Sequence, residues 1–304
     1  MTRKTLALLL IATIALLLGL YIAKQPEEQT STSDAVTNKG AKASIHHIRV
    51  SGATHRIADI YFERGDNRWV EKTTDYPANI ELVNELLGDL KQIAVVAKKT
   101  SNPELHNQLG VADKSETAIL LELNPGSNSA QRWLLGNLTD RGRFTRLNGD
   151  NQVRETTPAL VVPPETVDWL DQELFDISAE RVQQITISHL DGTTVHLSKD
   201  TPAEPLPLAS GEPISGLASE LRLESVLPGY LLADVGPAAT IVIDTFDGLQ
   251  LTANAYNTPD GFYFIFDATG HADDANAINQ RVSGWAYTLP DYKSRQFLIR
   301  TDTQ

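Results

Sequence analysis

Residues Leu6–Ala23 read LALLLIATIALLLGLYIA, eighteen positions without a charge, set between Arg3-Lys4 and Lys24. As a helix the run spans about 27 Å, close to the hydrocarbon thickness of a bilayer. Eleven of the eighteen are Leu or Ile, and their transfer favours insertion by on the order of 5 kcal/mol. The segment is expected to enter a membrane, with 1–23 as an N-terminal anchor. Arg3, Lys4 and the α-amino group hold the N-terminus in the cytoplasm, so the rest of the chain is translocated. A cleavable leader needs a shorter apolar region, about 7–15 residues, and a small-x-small site. Here Tyr21-Ile22-Ala23-Lys24 puts a bulky Ile before the Ala. A retained single-pass anchor in the inner (cytoplasmic) membrane is therefore expected, with the body in the periplasm or outside.

The chain has no Cys, which excludes disulfides, thiolate metal sites, a cysteine nucleophile and a lipid-modified N-terminal cysteine. From Ile45 onward 21 Lys and Arg stand against 36 Asp and Glu, a net of −15. An acidic body argues against nucleic acid and against lying flat on anionic lipid. Residues 24–44 carry almost no large apolar side chain and cannot offset their ordering entropy. They are expected to form a flexible tether with a reach of roughly 25 Å.

The body alternates short apolar runs with turn signals, a pattern of antiparallel strands with packed helices: class α+β. Ile45–Val50, Arg56–Phe62 and Arg68–Glu71 read as strands. Ala78–Lys91 is an amphipathic helix with Ile80, Val83, Leu86, Leu87 and Leu90 on one face; Asn79 reads as its N-cap, with Asp75 or Pro77 as the alternative entry. Ile93–Ala97 is extended, and Pro103–Leu109 is a helical turn closed by Gly110. Thr117–Leu123 and Arg132–Gly136 form a strand pair, and Arg143–Leu147 with Gln152–Glu155 a hairpin around Asn148-Gly149. A helix is expected from Glu165, with Val167, Trp169 and Leu170 inward. Beyond Ser178 come hairpins at Val182–Leu197 and Thr240–Ala255, a helix at Ile214–Val226 and an aromatic strand at Gly261–Phe266. A helix at Asp273–Val282, Trp285-Ala286-Tyr287 and a strand at Gln296–Arg300 complete the chain. The order of elements recurs, with an offset falling from about 135 to about 116 residues, as a shortened duplication would leave it. Two tandem similar domains, 45–178 and 179–304, are expected.

Several residues carry a family resemblance. They are Trp69 ahead of a helix, Leu105…Leu109-Gly110-Val111, Leu134-Leu135-Gly136 and Trp169-Leu170-Asp171. In that order they resemble the bacterial family called domain of unknown function 4340, over roughly Ile45–Leu197 and more loosely beyond. A Pro expected a few residues after the leucine-glycine motif is replaced here by Lys114-Ser115. The resemblance implies an N-terminal membrane segment, an exported body and a gliding-motility-type ABC transport system as partner. It carries no catalytic residues.

G-x-S-x-G, Walker A and H-E-x-x-H motifs are all absent. A metal site at His46, His47 and His55 would need His55 to fold back and Asp59 to join it; exposed strand positions are the simpler expectation. His189 and His196 flank the Asp191-Gly192 turn as an expected cross-strand pair. Of His271, Asp273 and Asp274, Asp273 reads as a helix N-cap. No catalytic, cofactor or metal residue is assigned. Along Gly261–Phe266, Phe262, Phe264 and Phe266 are expected inward, with Tyr263 and Ile265 outward. Tyr256, Tyr263, Trp285, Tyr287 and Tyr292 form the candidate binding surface. The expectation is a non-enzymatic, membrane-anchored binding or adaptor protein, an accessory component of an ABC-type transport or envelope assembly. The alternative is a periplasmic glycan- or small-ligand-binding module, with a hydrolase behind it.

Overall fold

The computed structural model describes residues 44–300 apart from 54, 64–65, 114, 116, 207–213 and 215. The expected anchor, and the tether except Ser44, lie outside the described residues; among those described, no helix is long and apolar enough to cross a membrane. By contact the chain falls into two compact units. One gathers Leu87–Leu160 with the described residues up to Ile45, and the other gathers His46–Leu86 and Val161 onward. These bounds differ from the 45–178 and 179–304 expected from the recurrent pattern.

The second unit opens with an antiparallel meander of β1 (His47–Ser51), β2 (Arg56–Glu63) and β3 (Arg68–Glu71). Ile48, Val50, Ile60 and Val70 are fully buried. Helix α1 (Ile80–Gln92) follows and carries the chain across the division between units. Its entry is capped as expected, the Leu82 amide donating to Asn79 Oδ1 at 3.1 Å. Val83 and Leu86 are buried, but Ile80 is 49% exposed, because the apolar stripe begins one turn before the packed stretch.

The first unit holds β4 (Ala94–Lys98), β5 (Ile119–Leu123), β6 (Gln131–Thr139), β7 (Gly142–Leu147) and β8 (Arg154–Thr157) in the order β5-β6-β7-β8-β4. All of these pairings are antiparallel. The motif loop Leu109-Gly110-Val111 lies tight on β6, the Asn137 amide donating to the Leu109 carbonyl at 3.0 Å. A Cβ at Gly136 would sit 2.3 Å from that carbonyl. Gly110 itself takes φ +71°, which glycine adopts without strain. The two leucine-glycine motifs are therefore two sides of one close backbone contact.

From Val161 the chain is back in the second unit, and the helix expected from Glu165 is only a short 3-10 turn, Thr166–Trp169. There β9 (Glu173–Phe175) is followed by the hairpin β10 (Val182–His189) and β11 (Thr194–Ser198). Next come β12 (Leu221–Arg222), β13 (Ser225–Pro228), β14 (Ala239–Thr245), β15 (Leu249–Thr258) and β16 (Gly261–Gly270). Helix α2 (Ala272–Val282), β17 (Trp285–Thr288) and helix α3 (Asp291–Phe297) end it. Seven strands form one sheet, β11-β10-β14-β15-β16-β17-β13, while β12 pairs separately with β9. Ile185, Ile187, Ile241, Ile243, Leu251, Phe264 and Phe266 alternate onto the buried face.

Two expected elements are corrected. Ile214–Val226 is not a helix: residues 216–220 form a turn, and β12 and β13 follow. Lys293, nearly buried, donates its Nζ to the carbonyls of Gly216 and Ser219 and ties down the turn, which ends at Glu220 with φ +46°, outside the right-handed helical range. The helix matched between the two halves is thereby lost from the recurrence. Gln296–Arg300 is not a strand: Gln296 and Phe297 finish α3, where Lys293 and Phe297, four residues apart, turn the same buried side inward.

Candidate functional site

The start of α1 faces a polar cleft of about 290 Å³ lined by Asn79, Glu81, Asp171, Gln172, Arg222 and Arg281, with Ile80, Leu170 and Glu173 between them. Its walls follow from the local sequence. The Asn79 amide donates to the Trp169 carbonyl at 2.8 Å, and the Asp171 amide to the Pro77 carbonyl at 3.0 Å. Asn79 Nδ2 reaches the Asp168 carbonyl at 3.2 Å. Trp169 is fully buried, its Nε1 donating to the Pro163 carbonyl at 3.3 Å. The Trp169-Leu170-Asp171 motif is thus a short extended clamp on the entry to the helix.

One ion pair lies in the cleft. Arg281 Nη2 holds both carboxylate oxygens of Asp171 at 2.6 Å, and its Nε donates to the Glu173 carbonyl at 2.5 Å. Arg222 Nη2 donates to Gln172 Oε1 at 2.6 Å. Guanidinium groups fixed this way keep further N–H donors, since each carries five. Such a cleft can hold a small polar molecule by hydrogen bonds.

A second, shallower cleft of about 430 Å³ is lined by His46, His47, Tyr61, Phe62 and Lys72. His47 Nε2 lies 2.5 Å from Asp59 Oδ1, while Arg49 Nε and Arg56 Nη1 donate to Asp59 Oδ2 at 3.2 and 3.1 Å. Burial pushes the Asp59 carboxyl up, but the bonds from His47 and Arg49 outweigh it and hold it below the ordinary range. Tyr61 donates to Asp75 at 2.5 Å, and that bond pushes its hydroxyl pKa up to about 12.

A family model for a domain of unknown function (DUF4340) matches residues 69–227, just over half of the chain. The chain belongs to that family. No curated protein and no solved structure matches it. Most of the cleft at α1 lies inside the DUF4340 region, from Asn79 to Arg222; Arg281 lies beyond it.

The candidate residues read from the DUF4340 sequence are spread over the second unit. Tyr256 and Tyr263 face each other across β15 and β16. Tyr292 is exposed, but Tyr287 is fully buried and lines no surface. Trp285 packs edge-on against Tyr76 with ring centroids 5.0 Å apart. His189 and His196 do not pair: His189 is buried and bonds the Ile299 carbonyl at 3.0 Å, while His196 sits opposite Thr186. Asp59 is surrounded by two guanidinium groups, which opposes a cation there. Among the described residues no cluster of three or more His, Asp or Glu is placed to hold a metal ion. Asp273 is not the cap of α2; His271 occupies that position, and Asp274 pairs with Arg181 at 2.5 Å. Arg222 and Arg281 escaped the sequence reading, although one signal marks them. The residues between them include eight Asp and Glu and no Lys or Arg.

Proposed function

We propose that this DUF4340 chain is a non-enzymatic, extracytoplasmic binding or adaptor protein, held to the inner membrane by Leu6–Ala23 with its N-terminus in the cytoplasm. Its place is as an accessory subunit of an ABC-type transport or envelope assembly. The observation that carries the reading is the uncharged eighteen-residue run followed by a polar tether, which keeps the body near the membrane and free to reorient. Work by binding rather than by chemistry is supported by the way polar groups in the α1 cleft pair with each other.

Extraction of the full chain in mild detergent should recover transporter or envelope subunits in stoichiometric amounts. A clean monomer across several detergents counts heavily against the adaptor role, and a body released as a mature soluble species defeats the anchor. A second reading, a small-ligand or glycan module, is favoured by one observation: the 290 Å³ cleft with Asn79, Gln172, Arg222 and Arg281 on its walls. A sugar or amino-acid panel that raises the melting temperature of the wild type, but not of Arg222→Ala, supports it.

A further inference from the structure

In the cleft at the start of α1 the side-chain amides are already engaged. Asn79 Oδ1 accepts from the Leu82 amide and its Nδ2 donates to the Asp168 carbonyl. Gln172 Nε2 donates to the Val167 carbonyl at 2.9 Å, and its Oε1 accepts from Arg222. Arg281 and Asp171 satisfy each other. What remains on the walls is charged. β12 pairs with β9 so that Arg222 stands directly across from Glu173, which sets their Cβ atoms about 5 Å apart. Arg222 turns to Gln172 instead, keeping four of its five N–H donors. Among the described residues, the carboxylates of Glu173 and Glu81 have neither an ion pair nor a hydrogen bond.

These groups select a ligand by charge. A neutral sugar would cover a guanidinium and two carboxylates without supplying a counter-charge, which costs their hydration. An anion meets Arg222 but is opposed by Glu81 and Glu173, and a cation leaves Arg222 uncompensated. A molecule with a carboxylate and an ammonium on one carbon satisfies all three. Ile80, 49% exposed, and buried Leu170 also line the cleft, and a short aliphatic side chain laid there removes apolar surface from water. The volume, about 290 Å³, lies at the small end of ligand sites. We propose that the α1 cleft binds a free α-amino acid with a small aliphatic side chain, its carboxylate on Arg222, its ammonium between Glu173 and Glu81, and its side chain over Ile80. The proposal rests on the small-ligand reading of this cleft and names the ligand class.

Calorimetric titration of the full chain in mild detergent tests it, with alanine, valine and leucine set against glucose, galactose and N-acetylglucosamine. At least one of the amino acids should bind saturably. The amide of the tightest binder lacks the carboxylate and its desamino acid lacks the ammonium. Each should bind at least about tenfold more weakly, the loss expected for one charged contact. In Arg222→Gln the amino acid should weaken by a similar factor and lose its advantage over the amide. In Glu81→Gln with Glu173→Gln it should lose its advantage over the desamino acid. All three positions are exposed, so the unliganded variants should melt with the wild type; where one melts early, the analogues decide the matter on the wild type alone. An amide or desamino acid that binds as tightly as the amino acid overturns the proposal, as does binding that none of these substitutions changes. Binding of a sugar and of no amino acid overturns the ligand class and leaves the small-ligand reading standing. When neither binds, both fall.

Discussion

Single carboxylates organise much of the polar structure, and Glu155 shows it best. Thr139 Oγ1 donates to it at 2.7 Å, and the cations of Lys99 and Arg141 lie at 2.8 Å. The bonds from Lys99 and Thr139, joined by Arg141 and opposed by desolvation, lower its pKa from 4.5 to about 2. Because the folded value is depressed, Glu155 stabilises the fold above the ordinary carboxylate pKa. That contribution is lost as pH falls from about 4.5 through about 2. Glu155→Gln should therefore melt below wild type at neutral pH, with the gap closing across that window. Thermal melts over a pH series would read it; a constant gap would show that the carboxylate charge plays no part. None of these partners was legible in the sequence, since they stand 14 to 56 positions away. Asp59 was legible as a polar strand residue near histidines, but not as the buried acceptor for two arginines.

At the scale of elements, strands closed by Asp-Gly and Asn-Gly turns were legible, as were α1 and α2, because local chemistry decides them. The turn at 216–220 was not, since Lys293, more than 70 positions away, takes its carbonyls. Two glycines separate what sequence and packing each control. Gly136 lies in β6, where an added Cβ meets the Leu109 carbonyl at 2.3 Å and Val111 Cγ1 at 2.6 Å. The backbone must shift to admit it, so Gly136→Ala should destabilise by about 1–3 kcal/mol. Gly88 lies inside α1, where the added Cβ meets nothing within 4 Å. Gly88→Ala should stabilise by about 0.4–1 kcal/mol, through the lower entropy of the unfolded chain and higher helix propensity. Urea unfolding of the two variants should move the midpoint in opposite directions. Equal shifts would mean that the Leu109–Gly136 contact is looser than its geometry.

For the molecule as a whole, the decisive fact is where the second unit takes its core from. Tyr76, Leu170, Leu174 and Ile177 are buried in one cluster with Ile185, Ile241, Phe264, Phe266, Tyr287 and Phe297. Tyr76 meets the rings of Trp285 and Tyr287 at 5.0 and 6.0 Å, and Phe175 meets Phe266 at 5.1 Å. The repeating order of hairpins drew a boundary at 178/179, but periodicity sees neighbours along the chain and not a tyrosine some 210 residues before its partner. Each large buried side chain contributes about 1.5–3 kcal/mol. Deleting four or five of them removes an amount comparable to the whole net stability of an ordinary domain, about 5–15 kcal/mol. A fragment of residues 179–304 should therefore expose its sheet, bind a hydrophobic dye and lose urea signal gradually, whereas residues 44–304 should unfold in a sharp transition. A steep transition for the short fragment, with a slope in proportion to its length, would make Tyr76, Leu170, Leu174 and Ile177 dispensable and restore the boundary at 178/179.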